Sequence, residues 1–329
     1  MTALAPLLEA FFLDRLLRQQ QASPNTIASY RDTFRLLLTF AQQRLFKAPS
    51  ALLVSDIDAP FVGLFLEHLE TKRNNSVPTR NVRLAAIHSF FHFIALREPA
   101  HSALIQRVLA IPHKRCDRNL VCFLTPMEID ALLQAPDRNS WIGCRDHALL
   151  LTMIQTGLRV SELIHLKCND ISLGPSPHIR CRGKRRKQRA TPLTSQTVAV
   201  LRNWLKHRDG TPAEPLFPSR RGGTLSRDAV ERLVKKHAAT ACTTCPTLIN
   251  KNVYPHVLRH TTAVQLLEAG VDCSVIALWL GHESVETTQI YLDADLAIKE
   301  RVLEKTALPN TKPGRFRPSD SVLAFLDAL

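Results

Sequence analysis

Thr156-Gly157-Leu158-Arg159-Val160-Ser161-Glu162 is the stretch on which the reading of this chain turns. Before it, Asp146–Thr156 is an apolar run at helical spacing. Gly157 ends that helix, because a residue without a Cβ takes the left-handed cap at little cost. After it, Ser161–Leu166 resumes helically. The break presents Arg159 and Glu162, three residues apart, at a joint between two helices. A guanidinium keeps its charge, and its fork matches two phosphate oxygens. Glu162 is spaced to brace it. Alone, such a pair is an ordinary surface ion pair.

Four later stretches change its weight. They are Gly183-Lys184, His256-Val257-Leu258-Arg259-His260, Leu280-Gly281-His282 and Thr287-Thr288-Gln289-Ile290-Tyr291. With Arg159 they supply two guanidiniums, an ammonium, three imidazoles and a lone phenol. That set suits holding a phosphodiester while a tyrosine attacks it.

The composition agrees with a polyanionic partner. The chain has 329 residues, enough for two domains, and 45% of them are hydrophobic, as in a globular protein. The net charge is +14 and the pI about 9.8, which points to nucleic acid. By segment the charge is +4 over residues 1–112, +9 over 113–309 and +1 over 310–329. The middle segment should therefore dominate the attraction. Eight cysteines follow no secretory signal pattern, so free thiols in a cytoplasmic protein are expected. The longest apolar stretch, Ile87–Leu96, is too short for a membrane span. Cys242 and Cys245 form a single CxxC with no second pair at zinc spacing. There is no acidic cluster for magnesium, no P-loop and no dinucleotide fingerprint. No metal and no cofactor are expected.

Residues 1–112 read as an all-helical module. Leu4–Leu17 has helical spacing. Ser23-Pro24 supplies an N-cap and a first-turn proline for a helix reaching Leu45. Pro60–Leu69, Pro78–Leu96 and Ser102–Leu109 follow, and in the second of these Val82, Ala85, Ala86, Ser89, Phe90 and Phe93 form the expected core stripe. Residues 113–124, with Lys114 and Arg115, are a basic linker. Thr125 and Glu128 then have capping-box spacing and open a second domain over 125–309. That domain reads as mostly helical with a small β insertion, His178–Arg182 and Arg189–Leu193 flanking a polar tip. Helices are expected near 195–207, 226–240, 257–268, 274–280 and 285–293. In the tail, 310–329, an extended Asn310–Pro318 leads to a short helix carrying Val322, Leu323, Phe325 and Leu326. Docking of that helix in trans on another subunit is the expected use.

Inside the second domain the spacing assigns positions. His256 and Arg259 are i,i+3 and His260 is i+4 from His256, so one helical turn points all three the same way. The N-terminal dipole end favours a neutral His256. His260, deeper in the helix, reads as structural. Residues 180–189 hold seven basic side chains: Arg180, Arg182, Lys184, Arg185, Arg186, Lys187 and Arg189. Most read as phosphate contacts without sequence preference. Gly183 permits close approach at Lys184, the one expected to enter the site, and like-charged neighbours should lower its pKa. Tyr291 is one of three tyrosines. Tyr30 falls in the first module and Tyr254 in the loop before Pro255. Gly281 caps a helix, and its turn can aim His282 or the Tyr291 segment at one pocket.

The ordered Arg, Lys, His-x-x-Arg, His, Tyr pattern resembles the tyrosine recombinase (phage-type integrase) family. Thr156–Glu162, His256–His260 and Leu266–Tyr291 match that family almost word for word, and the likeness spans essentially the whole chain. It implies a helical, SAM-like core-DNA-binding domain and a mixed α/β catalytic domain that form a C-shaped clamp on duplex DNA. The layout is similar to the simple Xer-type enzymes and to recombinases of mobile elements. The resemblance makes Tyr291 the nucleophile that forms a 3′-phosphotyrosyl bond. Arg159 and Arg259 hold the non-bridging oxygens, and Lys184 protonates the leaving 5′-oxygen. His256 assists proton transfer, His282 binds the phosphate or orients Tyr291, and Glu162 supports the pocket. It further implies inverted-repeat core sites, a homo-tetramer on paired sites, a Holliday junction, and possible partner recombinases or accessory proteins. Xer-type dimer resolution is the alternative task. A type IB topoisomerase or a non-catalytic DNA-binding module are the alternatives of another class.

Overall fold

The computed structural model describes residues 2–116, 121–183, 188–208, 211–282, 286–289 and 291. The chain divides into two compact units, residues 1–118 and 119–329.

The first unit is helical. α1 (Leu4–Ala10) runs directly into a π-helical stretch, Phe11–Gln19. α2 (Pro24–Leu45) begins where Ser23 Oγ accepts from the Thr26 amide at 3.2 Å. α3 (Ala59–Thr71), α4 (Val77–Ala95) and α5 (Ser102–Leu109) complete it. Ten of the chain's 14 phenylalanines lie in residues 1–112, and all but the exposed Phe46 build the core. Phe11 is its hub, with ring centroids of Phe34 at 6.1 Å and of Phe90 and Phe93 at 5.5 Å. The predicted stripe on α4 is corrected. Ala86 and Phe90 are buried as predicted, but Val82 is 52% exposed, and Leu84, Ile87, Phe91 and Ile94 make up the rest of the buried face. Leu84, Ile87, Phe91 and Ile94 repeat at steps of three and four, and their bulk buries more apolar area than alanine and serine do.

The second unit is also mainly helical. α6 (Pro126–Gln134) starts with the expected reciprocal cap, the Thr125 amide donating to Glu128 Oε2 at 2.8 Å. α7 (Trp141–Thr156) is buried on nearly every face, and α9 (Ser195–Arg208) and α11 (Pro255–Glu268) pack against it. α8 (Val160–Leu163) is a single turn, shorter than predicted. α10 (Arg227–Ala241), α12 (Cys273–Leu280) and α13 (Glu286–Gln289) follow. The hairpin exists as β2 (His178–Arg182) and β3 (Gln188–Pro192), antiparallel with Cys181 opposite Arg189. A short strand that the sequence reading missed, β1 (Ile171–Ser172), pairs with β2 to make three strands. No helix among the described residues is long and apolar enough to cross a membrane.

Candidate active site

Two helix ends converge on one pocket of the second unit. α7 stops at Gly157 (φ +62°) and α12 stops at Gly281 (φ +66°). Both turns need glycine for conformation and for space, since a Cβ would collide with Leu280 at the first and with Arg189 at the second. Such helix ends leave carbonyls without intrahelical donors. Two arginines use them. Arg259, only 4% exposed, donates to the Gly157 carbonyl at 2.6 Å and to the Leu280 carbonyl at 2.7 Å. Arg159 donates to the Gly281 carbonyl at 2.9 Å. Each guanidinium is thereby fixed in angle, which a flexible ammonium could not be.

Glu162 ties the charges together. It accepts from Arg159 Nη1 at 3.0 Å and from the Arg159 amide at 2.8 Å. Arg189 adds a bidentate pair, 2.9 Å and 2.8 Å, to the same carboxylate. Burial alone would raise the Glu162 carboxyl. The guanidinium of Arg189, then the Arg159 amide and guanidinium, more than offset it and hold the carboxyl below its ordinary value. Arg259 is brought down to about 10 by burial first and by Arg159 next, so it stays charged at neutral pH. Three guanidiniums facing one carboxylate leave a pocket that attracts an anion.

Tyr291 closes the pocket. It is 2% exposed and packs on Ala263, Val264, Ile276 and Leu280. Its hydroxyl lies 2.9 Å from His260 Nδ1. The His282 ring lies nearly parallel to the tyrosine ring, with centroids 6.4 Å apart, while His282 Nδ1 pairs with Thr288 Oγ1 at 2.8 Å. Burial raises the phenol pKa, and the guanidiniums of Arg259 and Arg159 oppose that rise. His260 and His282 are both pushed down to about 4, by burial first, then by neighbours that include Arg259. Both imidazoles are neutral near pH 7. His256 is also lowered, by partial burial and then by Arg259 and Arg159. Both causes favour the expected neutral form. Its ring stacks on that of His260 at 6.1 Å.

Of the predicted residues, the structure brings together Arg159, Glu162, His256, Arg259, His282 and Tyr291. Lys184, Arg185, Arg186 and Lys187 lie outside the described residues, as do Val322, Leu323, Phe325 and Leu326. Arg182 stands on β2, and Arg180 is exposed, 3.5 Å from the Asn169 carbonyl. Arg115 is exposed, and Lys114 pairs with Glu70 at 2.7 Å within the first unit. Two residues were misread. Arg189, counted with the surface charge run, turns inward to Glu162. Its signal was the period of two along β3, which puts Arg189 and Thr191 opposite the buried Cys181 and Ile179. His260, read as structural, holds the tyrosine hydroxyl. A cavity of about 280 Å³ opens beside Arg159 and His256, with Ser161, Arg227 and Tyr254 on its walls. Among the described residues no group of three or more His, Cys, Asp or Glu is placed to hold a metal ion.

Comparison with known proteins bears on the family and the fold. Residues 122–297 match the model of the "Phage integrase family", and residues 10–98 match "Phage integrase, N-terminal SAM-like domain". A provisionally named integrase/recombinase of Sinorhizobium fredii, y4rC, is 57% identical over 327 residues, spanning 99% of this chain and 98% of that protein. Tyrosine recombinase XerD of Pseudomonas putida is 32% identical over 293 residues, 87% of this chain and 92% of the relative. Among solved structures, XerH site-specific recombinase bound to palindromic difH substrate has a TM-score of 0.69 at 22% identity, covering 88% of this chain and 81% of that one. The Tn1549 transposon integrase bound to transposon right end DNA has a TM-score of 0.68 at 16% identity, covering 94% and 100%. At those identities the two structures establish the fold.

Proposed function

The chain belongs to the phage integrase family of tyrosine recombinases, enzymes that cut and rejoin DNA, and we propose that it does so through a 3′-phosphotyrosyl bond formed by Tyr291. One observation carries the assignment of the nucleophile. The Tyr291 phenol is held beside two guanidiniums whose angles are fixed by the Gly157, Leu280 and Gly281 carbonyls. That arrangement can bind two non-bridging oxygens of a phosphodiester and place its phosphorus before the phenol.

In this reading Arg159 and Arg259 offset the charge that builds in the transition state. Glu162 holds Arg159 to its angle. His282 supports the tyrosine through its ring, and His256, at the open side, assists proton transfer at the phosphate. Lys184 is proposed as the donor to the leaving 5′-oxygen, on the sequence argument alone. Arg180, Arg182, Arg185, Arg186, Lys187 and Arg115 would contact the DNA backbone. Attack by Tyr291 forms one phosphoester and breaks another, so bond energy is conserved and rejoining is the same step reversed by a free 5′-hydroxyl. No nucleotide is consumed.

The substrate we propose is duplex DNA with inverted-repeat core sites, contacted by a first domain over 1–112 and a catalytic domain over 125–309. We propose a cytoplasmic homo-tetramer on paired sites, exchanging strands through a Holliday junction, with the 319–329 helix docking in trans. The task favoured is movement of a mobile element. The Sinorhizobium integrase/recombinase is 57% identical, against 32% for XerD, and this supports that task over dimer resolution.

Covalent trapping tests the central step. Nicked duplexes bearing the repeats that flank the coding gene are incubated with wild type, Tyr291→Phe and Tyr254→Phe in EDTA. The adduct should form with wild type and Tyr254→Phe and vanish with Tyr291→Phe. Salt-sensitive binding without any adduct would favour a DNA-binding module instead.

A further inference from the structure

We infer that His260, through Nδ1, is the group that takes the phenolic proton when Tyr291 attacks the phosphodiester. The inference deepens the reading of Tyr291 as nucleophile and rests on it. The geometry is direct. The hydroxyl and Nδ1 are 2.9 Å apart, with ring centroids at 5.4 Å, within reach for proton transfer. The other imidazoles are placed differently. His282 Nδ1 is engaged with Thr288, and the ring of His282 lies parallel to the tyrosine ring. His256 stacks on His260 at 6.1 Å, one ring further from the phenol.

The electrostatics set the resting protonation of that acceptor. The charged or titratable groups facing His260 are His256 and Arg259 on its own helix, His282 from the end of α12, and Tyr291. In the empty pocket burial and these neighbours keep the imidazole neutral. A neutral imidazole whose Nδ1 faces a phenol accepts the hydrogen bond, because the phenol is the better donor. When a phosphodiester anion enters between Arg159 and Arg259, its charge favours an imidazolium nearby. The step then balances. The Tyr291 oxygen bonds to phosphorus, the bond from phosphorus to the 5′-oxygen breaks, the phenolic proton resides on His260, and the 5′-oxygen receives its own proton from the donor proposed above. In rejoining, the 5′-hydroxyl attacks and gives its proton back to that donor, and His260 returns its proton to the departing phenolate. The burial of Tyr291 fits this, since a phenolate formed there unaided would lack water to stabilise it.

Two measurements on the full chain test the role. The first needs no DNA. In ¹⁵N spectra of the imidazoles, the His260 signals are identified by their loss in His260→Asn. The Nδ1 resonance should shift on Tyr291→Phe, and a resonance that does not move would overturn the proposal. The second is single-turnover adduct formation on the nicked duplexes. Asparagine sets an oxygen at the bond separation of Nδ1, so His260→Asn keeps a hydrogen-bond acceptor and removes the base. Cleavage should slow on the order of 100-fold or more. Its logarithm should rise with pH at a slope of about one, against a flat wild-type profile, because the phenol must then ionise by itself. A wild-type rate and profile in His260→Asn would sink the His260 role alone. An adduct that persists in Tyr291→Phe would sink the assignment of the nucleophile instead.

Discussion

Within residues 1–118 the buried polar or charged residues are Thr33 and Arg80, among those described, while from residue 119 onward they include Glu128, Arg145, Asp146, Glu162, Arg208, His237 and Arg259. The first unit rests largely on phenylalanine rings and other apolar side chains, held by burial, which is non-directional. The second is crossed by polar networks. Asp146 is gripped by Arg145 at 2.9 Å and 2.7 Å and by His237 at 2.9 Å. Glu128 is held by Lys251 and Thr247, and Glu162 by two arginines. Directional networks cost desolvation, and removing one partner strands the other. They fix angles in return, which phosphoryl transfer requires.

The comparison can be broken most forcefully in the first unit. Phe90 is 1% exposed, with ring neighbours Phe34 at 5.3 Å and Phe91 at 5.5 Å. Phe90→Ala should cost about 3–5 kcal/mol. All three tryptophans, Trp141, Trp204 and Trp279, lie in the second unit. Urea unfolding followed by helical circular dichroism should therefore acquire an early phase, while tryptophan fluorescence keeps its midpoint. Equal movement of both signals would show that the units unfold as one and that the contrast has no energetic meaning.

Next in size is Arg259→Lys. A single ammonium cannot span both the Gly157 and Leu280 carbonyls and still face a phosphate. Cleavage should fall on the order of 10²–10³-fold, as when one transition-state donor is lost, with affinity for the nicked duplex within about threefold, since many other phosphate contacts remain. Single-turnover adduct formation separates the two. A matched loss of binding and rate would mean that Arg259 serves only as one more backbone contact.

The pH dependence should also divide the units. His260 and His282 titrate near 4 in the folded chain, against an ordinary 6.5. Between these values the unfolded chain binds more protons, so stability is full above about pH 6.5 and drains away as pH falls towards 4. Glu162, held below 4.5, adds a loss of the same sense further down. The fluorescence-detected stability should drop by on the order of 2 kcal/mol from pH 7 to 5. His260→Asn with His282→Asn should remove most of it, His256 and His147, both lowered by burial, keeping the rest. The first unit has His88, whose imidazole is lowered by burial against its bond to the Val108 carbonyl, and should respond less.

How much of this was legible in the sequence depended on the range of the interaction concerned. Caps are local, so Ser23, Thr125, Gly157 and Gly281 were readable from neighbours. Arg159, His256, Arg259, His282 and Tyr291 could be singled out from residue type and order, and the fold brings them together. The hydroxyl contact of His260 was not readable, because it spans 31 residues and needs the packing of α11 against the Tyr291 segment. The α4 stripe failed for a related reason. Several faces of that helix carry apolar residues, and only the partner helices decide which one is buried.

Arg189 shows how a charge run can conceal a working residue. Six of the seven basic side chains in 180–189 are at positions the sequence reads as phosphate contacts or donor, and Arg189 was grouped with them. In the fold it belongs to the network that distinguishes the second unit, sharing Glu162 with Arg159. It acts through Glu162 and is a positioning residue. Arg189→Gln should slow cleavage about tenfold, roughly 1.4 kcal/mol, without changing affinity for the duplex. It should also introduce an acid limb. With its strongest partner gone, Glu162 protonates nearer its ordinary value, and the protonated carboxyl no longer steadies Arg159. The rate would then fall at a higher pH than in wild type. Arg189→Lys restores one of the two hydrogen bonds and should recover part of both effects. Reduced binding at high salt sensitivity, with an unchanged pH profile, would instead return Arg189 to the surface run and narrow the difference between the units to Arg159, Arg259 and Glu162.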